Sequence, residues 1–137
     1  MESYLNHIPE DIMAKFIVKQ TATGFKFDLR NESGVIATSE VYSSEAACKS
    51  GVESVRGCVA GEVENQTVEG FETKKHPKFE VYADKAGDFR YRLKARNGEI
   101  IATCGTASYK TPEEVLAVVE AVKAGAPDAK VEVLVTA

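Results

Sequence analysis

Two stretches of this 137-residue chain repeat one another. Lys15-Phe16-Ile17-Val18, followed by Gly24-Phe25-Lys26-Phe27-Asp28-Leu29-Arg30, returns as Lys78-Phe79-Glu80-Val81, followed by Gly87-Asp88-Phe89-Arg90-Tyr91-Arg92-Leu93-Lys94. Gly34-Val35-Ile36-Ala37-Thr38 ahead of Tyr42 returns as Gly98-Glu99-Ile100-Ile101-Ala102-Thr103 ahead of Tyr109. The offset grows from 63 positions (Lys15 to Lys78) to 67 (Tyr42 to Tyr109), the drift of one structural unit that accepts insertions at turns while its core keeps register. A unit of about 60 residues buries too little surface to be comfortable alone, so the repeat points to two copies sharing one core.

Within each copy the apolar period is two. Phe16 and Val18 alternate with polar neighbours, as do Phe25, Phe27 and Leu29 with Lys26, Asp28 and Arg30, which predicts strands buried on one face. Thr21-Ala22-Thr23-Gly24 and Asn31-Glu32-Ser33-Gly34 supply the turns, and Val35-Ile36-Ala37-Thr38 the third strand. The second copy uses Asp84-Lys85-Ala86-Gly87-Asp88 and the Asn97-Gly98 pair favoured in tight hairpins.

After each tyrosine the period lengthens. Ser43 or Ser44 can cap a helix whose stripe is Ala47/Cys48, Gly51/Val52 and Val55, ending near Gly57. In the second copy Thr111 caps, Pro112 takes the first helical position and Glu114 completes a capping box. Val115, Leu116, Val118, Val119 and Val122 form its buried stripe, and Gly125 and Pro127 stop it. Ala129 to Val135 alternates as a strand, which at the end of the sequence must find a sheet.

The segments Gly34 to Tyr42, Gly51 to Arg56 and Phe89 to Ala102 together resemble the YegP family, over roughly residues 15–122. That resemblance implies tandem β-β-β-α-β repeats that form one α+β unit. It consists of a continuous antiparallel sheet with two helices on one face, pseudo-twofold symmetry, and exchange of the C-terminal strands between units. It places the exchanged strands at Thr67–Phe71 and Val131–Val135, and it implies no established activity. The chain departs from the family pattern at Cys104-Gly105-Thr106-Ala107-Ser108 and in lacking, on the second helix, the glycine that Gly51 supplies on the first. The expected organisation is a leader over 1–14, with a helical turn opened by Pro9, a first repeat over 15–73, a linker over 74–77 and a second repeat over 78–137.

The chemistry is harder to read. The net charge of −4 offers no bulk attraction to nucleic acid or anionic membrane. Met1 to His7 lacks the basic and apolar regions of a secretory signal, and no run of about 18 apolar residues appears, so a cytoplasmic location without membrane contact is expected. Cys48, Cys58 and Cys104 have no Cys-x-x-Cys spacing, and the only histidines, His7 and His76, lie near prolines, so neither a metal site nor a cofactor is expected. No glycine pattern matches a phosphate-binding or dinucleotide fingerprint, and Ser39-Glu40 and Ser44-Glu45 read as strand-end and capping residues.

Three features remain as candidate sites. Arg90, Arg92, Lys94 and Arg96 fall on one face of a strand, a row of cations able to meet phosphates, although Glu80, Asp84, Asp88 and Glu99 stand near enough to pair with them. Tyr42 and Tyr109 recur between strand and helix, where a symmetric pair could frame a groove. Cys104, in the altered turn, is the thiol expected to be exposed, with no base recognisable beside it. A duplicated scaffold without an assembled catalytic set reads as a non-enzymatic binding or interaction module for a protein or small ligand, acting as a monomer or weak homo-oligomer. Nucleic-acid binding through the basic strand is the second reading, and a Cys104 thiol enzyme the third.

Overall fold

The computed structural model describes residues 14–134. The Pro9 turn and almost all of the expected leader lie outside the described residues, as does Val135. The elements follow the two periodicities: β1 (Lys15–Gln20), β2 (Phe25–Asn31), β3 (Gly34–Thr38), α1 (Glu45–Cys58) and β4 (Glu62–Asn65), then β5 (Lys78–Ala83), β6 (Phe89–Lys94), β7 (Ile100–Thr103), α2 (Pro112–Gly125) and β8 (Lys130–Leu134). Both helix starts use the caps that the sequence offers. The Ser44 side chain accepts from the Ala47 N–H, and the Thr111 hydroxyl accepts from the Glu114 N–H, with Pro112 in the first turn.

All eight strands form one sheet in the order β4-β5-β6-β7-β3-β2-β1-β8. Each repeat's last strand therefore lies against the other repeat: β4 pairs with β5, and β8 pairs with β1. Exchange of the final strands is thus a feature of this fold. Two details differ from expectation. The sheet is mixed, because both exchanged strands run parallel to their neighbours while the six central strands are antiparallel. The cause is the symmetry: β3 and β7 meet antiparallel at the centre, so a strand that leaves α1 running opposite to β3 arrives beside β5 in the same direction.

The first exchanged strand is also Glu62–Asn65 and not Thr67–Phe71. Only Val63 carries the apolar signal there, while Glu62 and Glu64 look like linker until Lys78 is known to lie across from them. The strand then ends because the Asn65 side chain accepts from both the N–H and the hydroxyl of Thr67, a local turn that competes with the ladder.

The alternating strand residues bury Phe16, Val18, Phe27, Leu29, Phe79, Val81, Tyr91 and Leu93 beneath the helices. Cys48, Val52 and Val55 of α1 and Val115, Val119 and Val122 of α2 complete this core. Two cations lock the exchange. Arg56 of α1 lies 5.2 Å over the Phe16 ring and donates to the carbonyls of Ala126, Pro127 and Ala129, just ahead of β8. At the equivalent place Lys123 of α2 lies 5.6 Å over Phe79 and donates to the carbonyl of Gly61, just ahead of β4. Each helix thus holds the chain entering the strand that its partner repeat contributes.

Candidate functional site: the seam between the repeats

The sheet is continuous but thinnest at its centre. β3 and β7 share a single residue pair, Thr38 with Thr103, the last residue of each strand. Antiparallel strands that overlap only at their tips leave room on either side of the shared pair. One opening of about 470 Å³ is lined by Lys26, Asp28, Val35 and Thr38 from the first repeat and by Thr103 to Ala107 from the second. Its pseudo-symmetric counterpart, about 270 Å³, lies between Thr38–Glu40 and Ile100–Thr103.

The turn after β7 forms the wall of the larger cleft. Gly105 has φ +65°, and a Cβ there would stand 2.8 Å from Cγ2 of Thr38, so the close approach across the seam requires glycine. The Thr103 hydroxyl accepts from the Gly105 N–H. Inside the cleft, the Thr38 hydroxyl and the Lys19 ammonium each donate to Asp28 at 2.6 Å. Burial pushes the Asp28 carboxyl up, but Lys19 and Thr38 outweigh it and hold the group below its ordinary range. Lys26 lies 3.8 Å from the same carboxylate and is the cleft's ammonium. Below the seam the buried Tyr91 hydroxyl donates to the Ile36 carbonyl, a bond from the second repeat to the bulged third strand of the first. The cleft therefore offers an ammonium, a carboxylate already held by two donors, and paired threonines at the join of the two repeats.

The residues singled out by sequence are distributed differently. Arg90 donates to Asp84 and to the carbonyls of Gly105 and Thr106, so it pins the cleft wall. Arg92 donates to Glu80 and lies 4.4 Å over the Tyr82 ring, and Lys94 pairs with Glu80 at 3.2 Å. Each cation of the row thus has a carboxylate within the molecule, while Arg96 sits exposed in the following turn.

Tyr42 and Tyr109 do occupy equivalent places, bridged by backbone to Phe25 and Phe89 respectively. Tyr42 stacks on Phe27, 6.3 Å between centroids, and its hydroxyl lies against Gly51, where a Cβ would come within 2.4 Å. In α2 the matching position is Val118, so the glycine at this place is particular to the first repeat. Burial, then Glu40, pushes the Tyr42 hydroxyl pKa up; burial, then Cys104, does the same at Tyr109. The two tyrosines do not line the larger cleft.

Cys104 is 8 % exposed, which corrects the expectation of an exposed thiol: it takes the place that Ser39 holds in the first repeat, at the end of the third strand beneath the seam. Ser39 there accepts from the Phe27 N–H and donates to the Glu40 carbonyl. Burial pushes the Cys48 thiol up to about 11. Among the described residues no group of three His, Cys, Asp or Glu could hold a metal, and no helix is long and apolar enough to cross a membrane.

The seam residues were missed in the sequence because Thr38 and Thr103 read as ordinary strand ends. Their recurrence at the same point of both repeats was the available signal.

Comparison with known proteins agrees with the duplication. The family model for a domain of unknown function, DUF1508, matches twice, over residues 21–63 and 84–132. A UPF0339 protein of Pseudomonas aeruginosa is 32% identical over 118 residues, covering 85% of this chain and 93% of that protein. A UPF0339 protein of Methanosarcina acetivorans is 47% identical over 57 residues, which is 42% of this chain but 95% of the relative, so that protein has the length of one repeat. In fold, the chain resembles the solution structure of E. coli yegP, a protein of unknown function, with a TM-score of 0.72 at 24% identity, covering 92% of this chain and 97% of that one. Two matches of the family model in sequence order, and a relative of the same two-repeat length, show that the chain belongs to the DUF1508 family of UPF0339 proteins.

Proposed function

We propose that the chain is a non-enzymatic binding module whose ligand seat is the seam cleft. One observation carries this reading: the sheet is reduced to the single Thr38–Thr103 pair at the join of the repeats, and the space so created sets the Lys26 ammonium, the Asp28 carboxylate and the hydroxyls of Thr38, Ser39, Thr103 and Thr106 beside the apolar Val35, Cys104 and Ala107. Convergent polar groups in a concavity between two units are the usual form of a small-ligand site. The basic strand supports nucleic-acid binding less well, since a phosphate would have to displace Glu80 or Asp84 from Arg90, Arg92 and Lys94. Buried Cys104 supports an enzyme less well still.

The test is a ¹H–¹⁵N NMR screen of the full chain with small neutral amides, polyols and carboxylates. Saturable shifts concentrated at Thr38, Ser39 and Thr103 to Ala107, weakened in a Thr38→Val variant, are expected. Shifts centred on Tyr42 and Tyr109, or on Arg90 to Lys94 alone, would overturn it.

A further inference from the structure

The larger seam cleft carries a cation that its neighbours cancel only in part. Lys19 and Lys26 stand directly opposite one another on β1 and β2, like charges that by themselves disfavour the pairing. Asp28 answers both: Lys19 donates to it at 2.6 Å, while the Lys26 ammonium lies 3.8 Å away, beyond hydrogen-bond reach. One carboxylate against two ammoniums leaves a net positive charge, and Lys26 is the member that lines the opening. The second repeat builds the same corner without the excess. There Tyr82 stands opposite Arg90, and Arg92 takes the place of Asp28. Arg90 pairs with Asp84 and Arg92 with Glu80, so each cation has its own carboxylate.

The polar groups of the cleft sort by what they already serve. Thr38 donates to Asp28, and Ser39 donates to the Glu40 carbonyl. Thr103 accepts from the Gly105 N–H, which leaves its own proton to donate, and exposed Thr106 brings a further hydroxyl from the turn. Lys26 from the first repeat and Thr103 and Thr106 from the second therefore meet as donors around one space. Both oxygens of Asp28 already accept at 2.6 Å, so a cationic ligand would compete with Lys19 and Thr38. Exposed Val35 and Ala107 supply apolar surface beside these donors, and no aromatic ring lines the cleft.

We propose that the cleft selects a small aliphatic monocarboxylate, with its carboxylate on the Lys26 ammonium and the Thr103 hydroxyl and its short apolar body against Val35 and Ala107. This assignment rests on the seam cleft being the ligand seat. A single net charge with hydroxyl donors matches a carboxylate better than a phosphate, which favours arginine forks and clustered backbone N–H groups. An aromatic acid would find no ring to pack against. The smaller opening has Glu40 where the larger has Gly105, and that charge repels an anion, so one carboxylate binds per chain.

Sodium butyrate is the probe, and butyramide, of nearly the same shape without the charge, is its control; each is titrated into the full chain by NMR. Butyrate should saturate at one molecule per chain, with shifts centred on Lys26 and Thr103 to Ala107, and bind about tenfold tighter than butyramide. Lys26→Gln should abolish that preference, and Asp28→Asn, which removes the neighbouring negative charge, should tighten butyrate about threefold. Lys94→Gln, outside the larger cleft and held by Glu80, should change neither probe by more than about twofold. Far-UV circular dichroism checks that each variant stays folded. Equal binding of butyrate and butyramide within the cleft would overturn the carboxylate assignment and leave the cleft as the seat. No saturable cleft shift with either probe, or with the polyols and amides of the wider screen, would overturn both. Tighter binding of inorganic phosphate than of butyrate would overturn the ligand class, and weaker butyrate binding in a folded Asp28→Asn chain would show that the ammonium alone is not the recognition element.

Discussion

The two halves of the molecule make the same ion pair in different surroundings. Lys78 meets Glu64 at 2.7 Å with both side chains almost wholly buried, while Lys15 meets Glu132, at the matching positions, at 2.9 Å with side chains 30% and 46% exposed. The strands are equivalent and the register is equivalent; the cover is not. In the second half the chain between β4 and β5 crosses this face, so the Lys74 N–H and the Gln66 amide reach Glu64 and close it from water. A duplicated fold therefore keeps its backbone symmetry while each half acquires its own electrostatics.

The largest difference expected from this contrast lies at the two glutamates. Glu64→Ala leaves the buried Lys78 ammonium and the half-buried Gln66 and Lys74 donors without their acceptor and should cost about 3 kcal/mol, at the lower end for a broken buried pair because Glu80 still holds Lys78. Glu132→Ala, half in water, should cost less than about 1 kcal/mol. Urea unfolding of the two variants measures the difference, and equal costs would mean that burial by the 66–77 crossover is energetically irrelevant.

Next come the two cations that hold the exchanged strands. Arg56 serves three carbonyls ahead of β8 and Lys123 one ahead of β4. Arg56→Ala should cost about 2–3 kcal/mol and Lys123→Ala about 1 kcal/mol, from the usual worth of hydrogen bonds to charged groups. Amide exchange should quicken selectively in β8 for the first variant and in β4 for the second. Uniform quickening over the whole sheet would show that the cations stabilise the fold generally and do not hold individual strands.

A third contrast concerns the tyrosines. Gly51 admits the Tyr42 ring onto α1, and Val118 stands at the matching position of α2. Gly51→Val should cost about 1–3 kcal/mol by overpacking, with the Tyr42–Phe27 stack lost from the ring shifts. Adding Tyr42→Ala should recover part of that cost, a coupling absent if the ring and the helix do not compete for space.

Much of this architecture was legible because it rests on periodicity. The Thr111-Pro112-Glu114 start of α2, the Asn97-Gly98 turn and the alternation of Phe25, Phe27 and Leu29 each carry a local physical signal, and all appear where expected. Glu62–Asn65 was illegible because its stability comes from a distant strand: Val63 is ordinary until it packs against the core, and Glu64 is ordinary until Lys78 lies opposite. The candidate site failed to show for the same reason. The overlap of Thr38 with Thr103 depends on how the two repeats meet, whereas the pairing of Arg90, Arg92 and Lys94 with Asp84 and Glu80 was already expected from the acids nearby in the repeat. Lys130 lies 115 positions from Lys15 and becomes its neighbour only through exchange, whereas Arg30 reaches Lys15 through the β1–β2 hairpin. Intramolecular neutralisation is a property of register, and register across exchanged strands has no local signature.

The smallest effect is a pH dependence that the second half alone should dominate. Burial pushes the Glu64 carboxyl up, but the Lys78 ammonium, the Gln66 amide and the Lys74 N–H outweigh it and bring its pKa down to about 2 from an ordinary 4.5. Glu80 is lowered as well: burial again opposes, and Arg92, Lys78 and Lys94 prevail. A carboxyl depressed on folding stabilises the folded state fully above its unfolded pKa. As pH falls below 4.5, the unfolded chain takes up a proton that folded Glu64 still refuses, so stability declines down to about pH 2, where the contribution is gone. Urea midpoints at about pH 5 and about pH 3 should therefore differ more for the unaltered chain than for Glu64→Gln, which removes the titrating group while keeping its shape. Glu132→Gln should leave that difference nearly intact, because a pair half in water gains little from folding. If instead Glu132→Gln flattened the acid response as much as Glu64→Gln, the two ion pairs would be electrostatically equivalent, and the difference in their burial would carry no energetic weight.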